Sequence, residues 1–434
     1  MKILYSATAL LLAAAPAALA QNTALNVRIA TLAAQEEPKV LAWRRDLHEH
    51  PELGNQETRT AGIIAAHLRS LGLEVQTGVA RTGVVGVLRG GKPGPVVALR
   101  ADMDALPITE TNSLPFASKV KTTYLGQPVG VMHACGHDTH VAMLMGAAEV
   151  LSQVKKDLPG TVKFIFQPAE EGSLPGEEGG AKLMVKEGVL TNPKVDAVFG
   201  VHVNAQTEVG MLRYRPGGEM ASSDRFTIKV HGKGAHGAYP WNSVDPVVTA
   251  AQIIMGLQTI VSRQVKLIDD AAVVTVGTIH AGVRYNVIPP DVEMSGTIRA
   301  LNPAVQKQIW AAIQRTAKGI AESAGATAEV SIEPYVPVTY NNEPLTAQML
   351  PTLRAVAGAA NVSEQKAVTG AEDFSFYQEK VPGLFLFVGG MRKGQDPATA
   401  ADHHTAGFML DESGLTLGVK TLATLAADYL VLKH

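Results

Sequence analysis

Val162-Lys163-Phe164-Ile165-Phe166-Gln167 is followed at once by Pro168, Ala169, Glu170 and Glu171. Apolar, β-favouring residues dominate the run and Pro168 cannot continue a strand ladder, so the segment predicts a buried strand that stops at two adjacent carboxylates. Similar runs stand at 83–88, 96–100 and 195–203, and helical spacing separates several of them, as over 141–154. That order predicts an α/β domain, with parallel strands in a mixed sheet and helices on both faces. In such sheets chemistry gathers at the carboxyl ends of the strands.

Outward from this core the pattern changes twice. Residues 40–71 show helical spacing broken at Pro51, and a Gly/Pro stretch at 213–218 reads as a linker. Beyond it come a strand (226–231), a helix (246–265), two strands (272–279 and 292–299), a helix (303–324) and a strand (326–333), the βαββαβ order of a ferredoxin-like domain. In the first of these helices Val247, Ala250, Ala251, Ile254, Leu257, Gln258 and Val261 recur at three- and four-residue steps, which predicts one mostly apolar face. Residues 384–388 then read as a strand and 413–432 as a helix. The expected organisation is a signal at 1–20, a catalytic domain over 21–217 and 335–434, and a domain inserted over 218–334.

A chain of 434 residues, 46% hydrophobic and 18% charged, can build two sizeable cores. With 38 basic against 40 acidic residues and no long block of like charge, nucleic acid is not an expected partner. Lys2, the apolar run 3–20 and the small-residue pattern Ala18-Leu19-Ala20 predict a cleavable export signal and a soluble, secreted or periplasmic product with no stable membrane anchor. Cys135 is the one cysteine, so it has no intramolecular disulfide partner and is a bystander, a free thiol or a ligand.

The residues His133-Ala134-Cys135-Gly136-His137-Asp138-Thr139-His140 decide among those. Thiolate and imidazole are both good ligands for zinc and its neighbours, and an extended segment would point Cys135 and His137 the same way. A lone Glu-Glu pair is often a solvated loop. At a strand end near a metal, however, one carboxylate can be a ligand and the other a general base. His202 closes the apolar run at 198–202, and His403-His404 stand in a polar turn before Phe408. Each is weak alone, and the set is stronger because every member ends a strand or lies in a loop.

These stretches resemble the zinc-type aminoacylase and carboxypeptidase-like metallopeptidases, in the branch of hippurate hydrolase and the indoleacetyl-amino acid hydrolases. The resemblance runs through RRDLHEHPELG (44–54), ALRADMDALPI (98–108), MHACGHDTH (132–140), FQPAEEG (166–172), GAHGAYP (234–240), NVIP (286–289), GTIR (296–299) and GAEDF (370–374). It implies two divalent metals, zinc first, with manganese, cobalt or nickel also suited, held by Cys135, His137, Glu171, His202 and His404. Glu170 would be the base, with Asp102 and Asp104 as supporting carboxylates. His236 would steady an oxyanion, and Asn286 and Arg299 would grip the substrate. The 370–374 loop would line the pocket. The branch usually follows its last histidine with Ser/Thr-Pro, whereas this chain has Thr405-Ala406, so His403 stays open as the alternative to His404. The implied activity is hydrolysis of N-acyl amino acids or short peptides by a homodimer, a tetramer being left open, with the inserted domain as the dimerisation domain. Three rivals remain: a metallo-dipeptidase or carboxypeptidase, a cysteine hydrolase using Cys135, and a binding protein without turnover.

Overall fold

A computed structural model describes residues 14–268 and 271–434, with backbone alone for 14–22. The expected signal therefore lies outside the described residues, apart from the helical backbone of 14–20. Two compact units emerge. One ends at Tyr214 and resumes over Asn342–Gln365 and Tyr377–His434, and the other comprises Arg215–Asn341 and Lys366–Phe376.

The first unit is built on eight strands: β1 (Glu74–Val79), β2 (Gly83–Arg89), β3 (Lys92–Asp102), β4 (Pro159–Gln167), β5 (Ala197–Glu208), β6 (Leu212–Tyr214), β7 (Val362–Glu364) and β8 (Gly383–Met391). They lie in the order β1-β2-β4-β3-β5-β8-β6-β7. The centre β4-β3-β5-β8 is parallel, β2 runs against both β1 and β4, and β6 runs against β8 but parallel to β7, so the sheet is mixed. Strand alternation sorts the side chains. Val97, Leu99, Ala101, Phe164, Phe166, Phe199 and Val201 enter the main hydrophobic core. That core is shared with α1 (Ala14–Glu49), α2 (Thr58–Ser70), α3 (His137–Val154) and two helices further along, α5 (Glu343–Ala357) and α6 (Leu415–Leu432), α4 being the short Gly180–Lys186. Helix α6 is long and apolar enough to cross a membrane, yet most of it is buried in this core, which is why it is a core helix.

On the opposite side of β4 sits Lys163, buried to 1% exposure. Its Nζ donates to the carbonyls of Val189, Asn192 and Pro193 at 2.7, 2.9 and 3.1 Å, which uses all three donors. Burial pushes its pKa down to about 8. Lys163→Met keeps the stem and strips the donors from three carbonyls, so urea unfolding followed by circular dichroism should show a loss of about 3 kcal/mol.

The second unit holds an antiparallel sheet in the order Ala272–Ala281, Asp291–Ala300, Ser223–His231, Thr327–Val336. The helices Pro246–Thr259 and Pro303–Ser323 pack against it, which gives the ferredoxin-like βαββαβ arrangement. Each helix begins with the same chemistry. Asp245 and Asn302 accept from the N–H groups two and three residues on, and proline follows as the first helical residue.

Two local expectations are corrected. The helix read to 265 is α-helical only to Thr259 and continues over Ile260–Gln264 as a wider π turn. Its buried face is Pro246, Thr249, Ala250, Ile253 and Leu257, whereas Val247 is exposed. Because this helix is apolar nearly all round, periodicity alone could not pick the inward face. The supposed linker is also partly strand, since Leu212–Tyr214 is β6 and Gly217–Met220 pairs with Thr339–Asn341.

Candidate metal centre

The cluster forms where the parallel strands end. Asp102 closes β3 opposite Gln167, the last residue of β4, and His202 lies on β5 opposite Phe387 of β8. After β4 the chain turns sharply through Ala169, which takes the left-handed φ of 50° that non-glycine residues rarely adopt. That turn is clamped from the α1–α2 connection. The buried Glu57 carboxylate accepts the Ala169 N–H at 2.9 Å, and a Cβ on Gly54 would lie 2.5 Å from the Gly172 carbonyl. Glu170 and Glu171 are thereby presented at the strand end.

Cys135 and His137 come together for a reason other than extended geometry. His137 is the first residue of α3, and Gly136 before it is left-handed, with φ 94°. A Cβ there would also lie 2.5 Å from the Val203 side chain, so glycine is required on both counts.

The distances tie the set. Cys135 Sγ is 3.4 Å from His202 Nε2. His137 Nε2 is 3.9 Å from Glu170 Oε2 and 3.8 Å from Glu171 Oε1, and His404 Nε2 is 3.1 Å from that same Glu171 oxygen. Donor atoms of Cys135, His137 and His202 lie within 4.8 Å of one another, as do those of Cys135, Glu171 and His404. The thiol belongs to both groups.

Hydrogen bonds on the outer side of the His137 and His202 rings fix which nitrogens face inward. His137 Nδ1 is 3.2 Å from Asp104 Oδ1, and the other Asp104 oxygen accepts the Glu171 N–H at 3.0 Å. His202 Nδ1 donates to the Val203 carbonyl at 2.6 Å. His140 accepts the Val203 N–H on Nε2 and so carries its proton on Nδ1, 2.5 Å from Asp102. His403 is fully occupied in the same way, since its Nε2 accepts from Ala205 N–H and its Nδ1 donates to the Cys135 carbonyl, both at 3.2 Å. His137 Nε2, by contrast, is buried and has no hydrogen-bond partner. An orphaned imidazole nitrogen among carboxylates and a thiol is the arrangement a cation resolves, and the outer carboxylate or carbonyl on each ring is what orients a metal-binding histidine. The sulfur, nitrogen and oxygen donors suit zinc and its first-row neighbours.

The charges agree. Burial alone would lower His137, but Asp102, Asp104 and Glu171 outweigh it and hold the imidazolium up to about 10. Burial, then Glu171, Glu170 and Asp102, push the Cys135 thiol well above its ordinary value. Burial pulls in the other direction for Glu171, yet His404 and His137 keep it below the usual carboxylate range.

His236 and Asn286 lie in the second unit and are brought together there. The Ala235–His236 strand pairs with Val287–Ile288, and Gly237 N–H donates to the Asn286 carbonyl at 2.9 Å. His236 is exposed, and its Nδ1 accepts from Ala238 N–H at 3.0 Å, which leaves the proton on Nε2. Asn286 Oδ1 is buried without a partner. Arg299 stands on the Asp291–Ala300 strand, where it donates to the Ile298 carbonyl at 3.0 Å and also contacts Thr297 Oγ1. The 370–374 stretch belongs to this unit as well. A cleft of about 920 Å³ in the first unit is lined by Phe116, Arg392, Lys393, Met409 and their neighbours, with none of the clustered donors. The chemistry therefore lies at the donors rather than in that cleft. The sequence reading left out Glu57, Glu110, Asn112, His48 and the tautomer-setting role of His140. His48 and His140 stood inside quoted motifs without a partner to give them meaning.

Comparison with known proteins accords with this geometry. Residues 98–428 match the profile of peptidase family M20/M25/M40. The chain is 42% identical over 392 residues to thermostable carboxypeptidase 2 of Saccharolobus solfataricus, covering 90% of this chain and 95% of that protein. It is 41% identical over 389 residues to N-acetylcysteine deacetylase of Bacillus subtilis, covering 89% and 96%. Among solved structures, the Bacillus subtilis YXEP protein, a dinuclear metal-binding peptidase, superimposes with a TM-score of 0.76 at 38% identity, covering 92% of this chain and 99% of that one. With a family profile spanning most of its length and relatives above 40% identity along nearly all of it, this chain belongs to the M20/M25/M40 peptidase family.

Proposed function

We propose that the protein is a two-metal amidohydrolase that cleaves the amide bond of N-acyl amino acids, with Cys135, His137, Glu171, His202 and His404 holding the metals. The observation that carries this is the inward, unpartnered His137 Nε2, its ring turned by Asp104, beside a His202 ring turned by the Val203 carbonyl. Both His403 nitrogens are taken by the backbone, which supports His404 as the last ligand. The metals, zinc by donor set, would polarise the scissile carbonyl and lower the pKa of water.

Glu170 takes the proton from the attacking water. Its oxygen adds to the amide carbon, Glu170 returns the proton to the amine nitrogen, and the C–N bond breaks to give a carboxylic acid and a free amine. His236, with its proton on the exposed Nε2, is the proposed oxyanion donor, and Asn286 and Arg299 the proposed substrate grips. A nucleophilic cysteine needs a lowered pKa, and Cys135 has the reverse, which weighs against a thiol mechanism.

The deacetylase and carboxypeptidase relatives favour two substrate classes, so a panel of N-acyl amino acids and dipeptides is the discriminating assay. Turnover should vanish on chelation and return with zinc or manganese, with acyl amino acids cleaved faster. Preferential cleavage of dipeptides would move the reading to a metallo-dipeptidase. Turnover indifferent to chelation would sink the metal mechanism. We also propose export through residues 1–20 and pairing of two copies through the second unit. An amino terminus other than Gln21 on exported protein, or a monomer by sedimentation, would overturn the respective point.

A further inference from the structure

Of the proposed ligands, His404 is held least by burial: its side chain is 52% exposed, whereas that of His137 is fully buried. It also sits at a left-handed φ of 63°, a conformation its own backbone does not favour. Its own N–H is held by the Ala134 carbonyl at 2.9 Å, and the connection after β3 holds the rest of the turn that follows it. The Ala406 carbonyl accepts from both the N–H and the hydroxyl of Thr111, each at 3.0 Å. The Phe408 carbonyl accepts from Asn112 Nδ2 at 2.8 Å.

These two residues are themselves anchored through Glu110. One Glu110 oxygen receives Asn112 Nδ2 and His48 Nε2, both at 3.2 Å, and the other receives Ser118 N–H at 2.6 Å. His48 faces a second carboxylate through Nδ1, 2.9 Å from Asp138, the residue after His137 on α3. With a carboxylate at each nitrogen both must donate, so His48 is an imidazolium. Arg44 closes the network by reaching Asp138 at 2.9 Å and Glu412 at 3.1 Å. A buried, charge-paired set of contacts thus runs from α1 and the start of α3, beside His137, to Glu110, and neutral hydrogen bonds of the half-buried Asn112 and the exposed Thr111 carry it on to the turn that holds His404.

We propose that Thr111, Asn112 and Glu110 are positioning residues that set the affinity of the metal position served by His404, without touching metal or substrate. The inference rests on the two-metal reading above. It explains why His48, the first histidine in RRDLHEH, and Glu110, the acid two residues beyond ALRADMDALPI, belong to a centre they do not enter.

The test is metal stoichiometry. Full-length wild type, Thr111→Val, the double variant Thr111→Val/Asn112→Leu and the conservative Thr111→Ser are equilibrated with zinc buffered over a range of free concentrations, and bound zinc is measured by mass spectrometry. Wild type and Thr111→Ser should hold two zinc ions with matching affinities. The double variant should keep the tighter ion and bind the weaker one about tenfold less well, since it loses both side-chain hydrogen bonds to the turn and the Asn112 bond to Glu110. Its kcat should recover at excess zinc with KM unchanged, which a merely loosened fold would not show. Melting of the metal-free proteins reports folding, and Thr111→Val alone serves if the double variant melts early. Equal weakening of both ions, or of neither, in a normally folded variant overturns the proposal. Wild type that takes up no zinc overturns the metal reading itself, a different result.

Discussion

Glu170→Gln lowers kcat by about three orders of magnitude and leaves bound metal and KM close to wild type. Glutamine keeps the size and one acceptor oxygen of Glu170 but cannot take a proton, and a positioned general base contributes about 10²–10⁴ in rate. The neighbouring carboxylate should behave in another way. Glu171 lies 3.1 Å from His404 Nε2, its N–H is fixed by Asp104, and its donor atom falls in a group with Cys135 and His404. Glu171→Gln should therefore lose metal along with turnover, and excess metal should restore part of it. The contrast is measured by steady-state kinetics on the best substrate of the panel beside metal analysis of the same samples. Two adjacent acids that respond identically, or a Glu170→Gln enzyme with near wild-type kcat, would remove Glu170 from the role of base.

How these residues could be read in advance varied with how local their signals were. The strand at 162–167 announces itself through its apolar run and the proline that ends it, and the βαββαβ order survives in the structure with ends shifted by a few residues. The strand Glu74–Val79 was missed because it is an edge, largely exposed, with no alternation to detect. Cys135 and His137 lie in one cluster through the turn at Gly136 and not through the extended backbone their spacing suggests. His403 and His404 are chemically identical as letters. What distinguishes them is long-range: the claims of Ala205 N–H and the Cys135 carbonyl on His403, and the Glu171 carboxylate 3.1 Å from His404 Nε2. The same holds for Glu57, which meets Ala169 across 112 positions, and for His48, which meets Asp138 across 90. A motif marks such residues as belonging together without showing what each one touches.

Metal uptake by the metal-free protein should release about two to three protons per chain at neutral pH, and the apparent affinity should climb at least about a hundredfold per pH unit there. The sign follows from the two central donors. Cys135 must bind as thiolate, yet in the metal-free protein burial and the carboxylates of Glu171, Glu170 and Asp102 hold the thiol protonated. His137 must bind through a neutral ring, yet Asp102, Asp104 and Glu171 overcome burial and keep it protonated up to about 10. Both protons are present below these values and must leave, so lower pH opposes binding. Above about 10, His137 has already deprotonated and its share of the slope disappears. Glu171 and His202 contribute little near neutrality, the first being ionised already and the second being held neutral by burial, whereas His404, raised by its hydrogen bond to Glu171, adds up to about one further proton. Calorimetric titration with zinc in buffers of different ionisation enthalpy counts the released protons directly, and repeating it from pH 6 to 8 gives the slope. Uptake with no net proton release would mean that Cys135 and His137 are not both ligands, and the five-residue set would have to be redrawn around the carboxylates. Release on the expected scale would give the acidic residues around His137 a double role. They store the proton that guards the empty donor, and through Asp104 they aim the same nitrogen once the cation has displaced it.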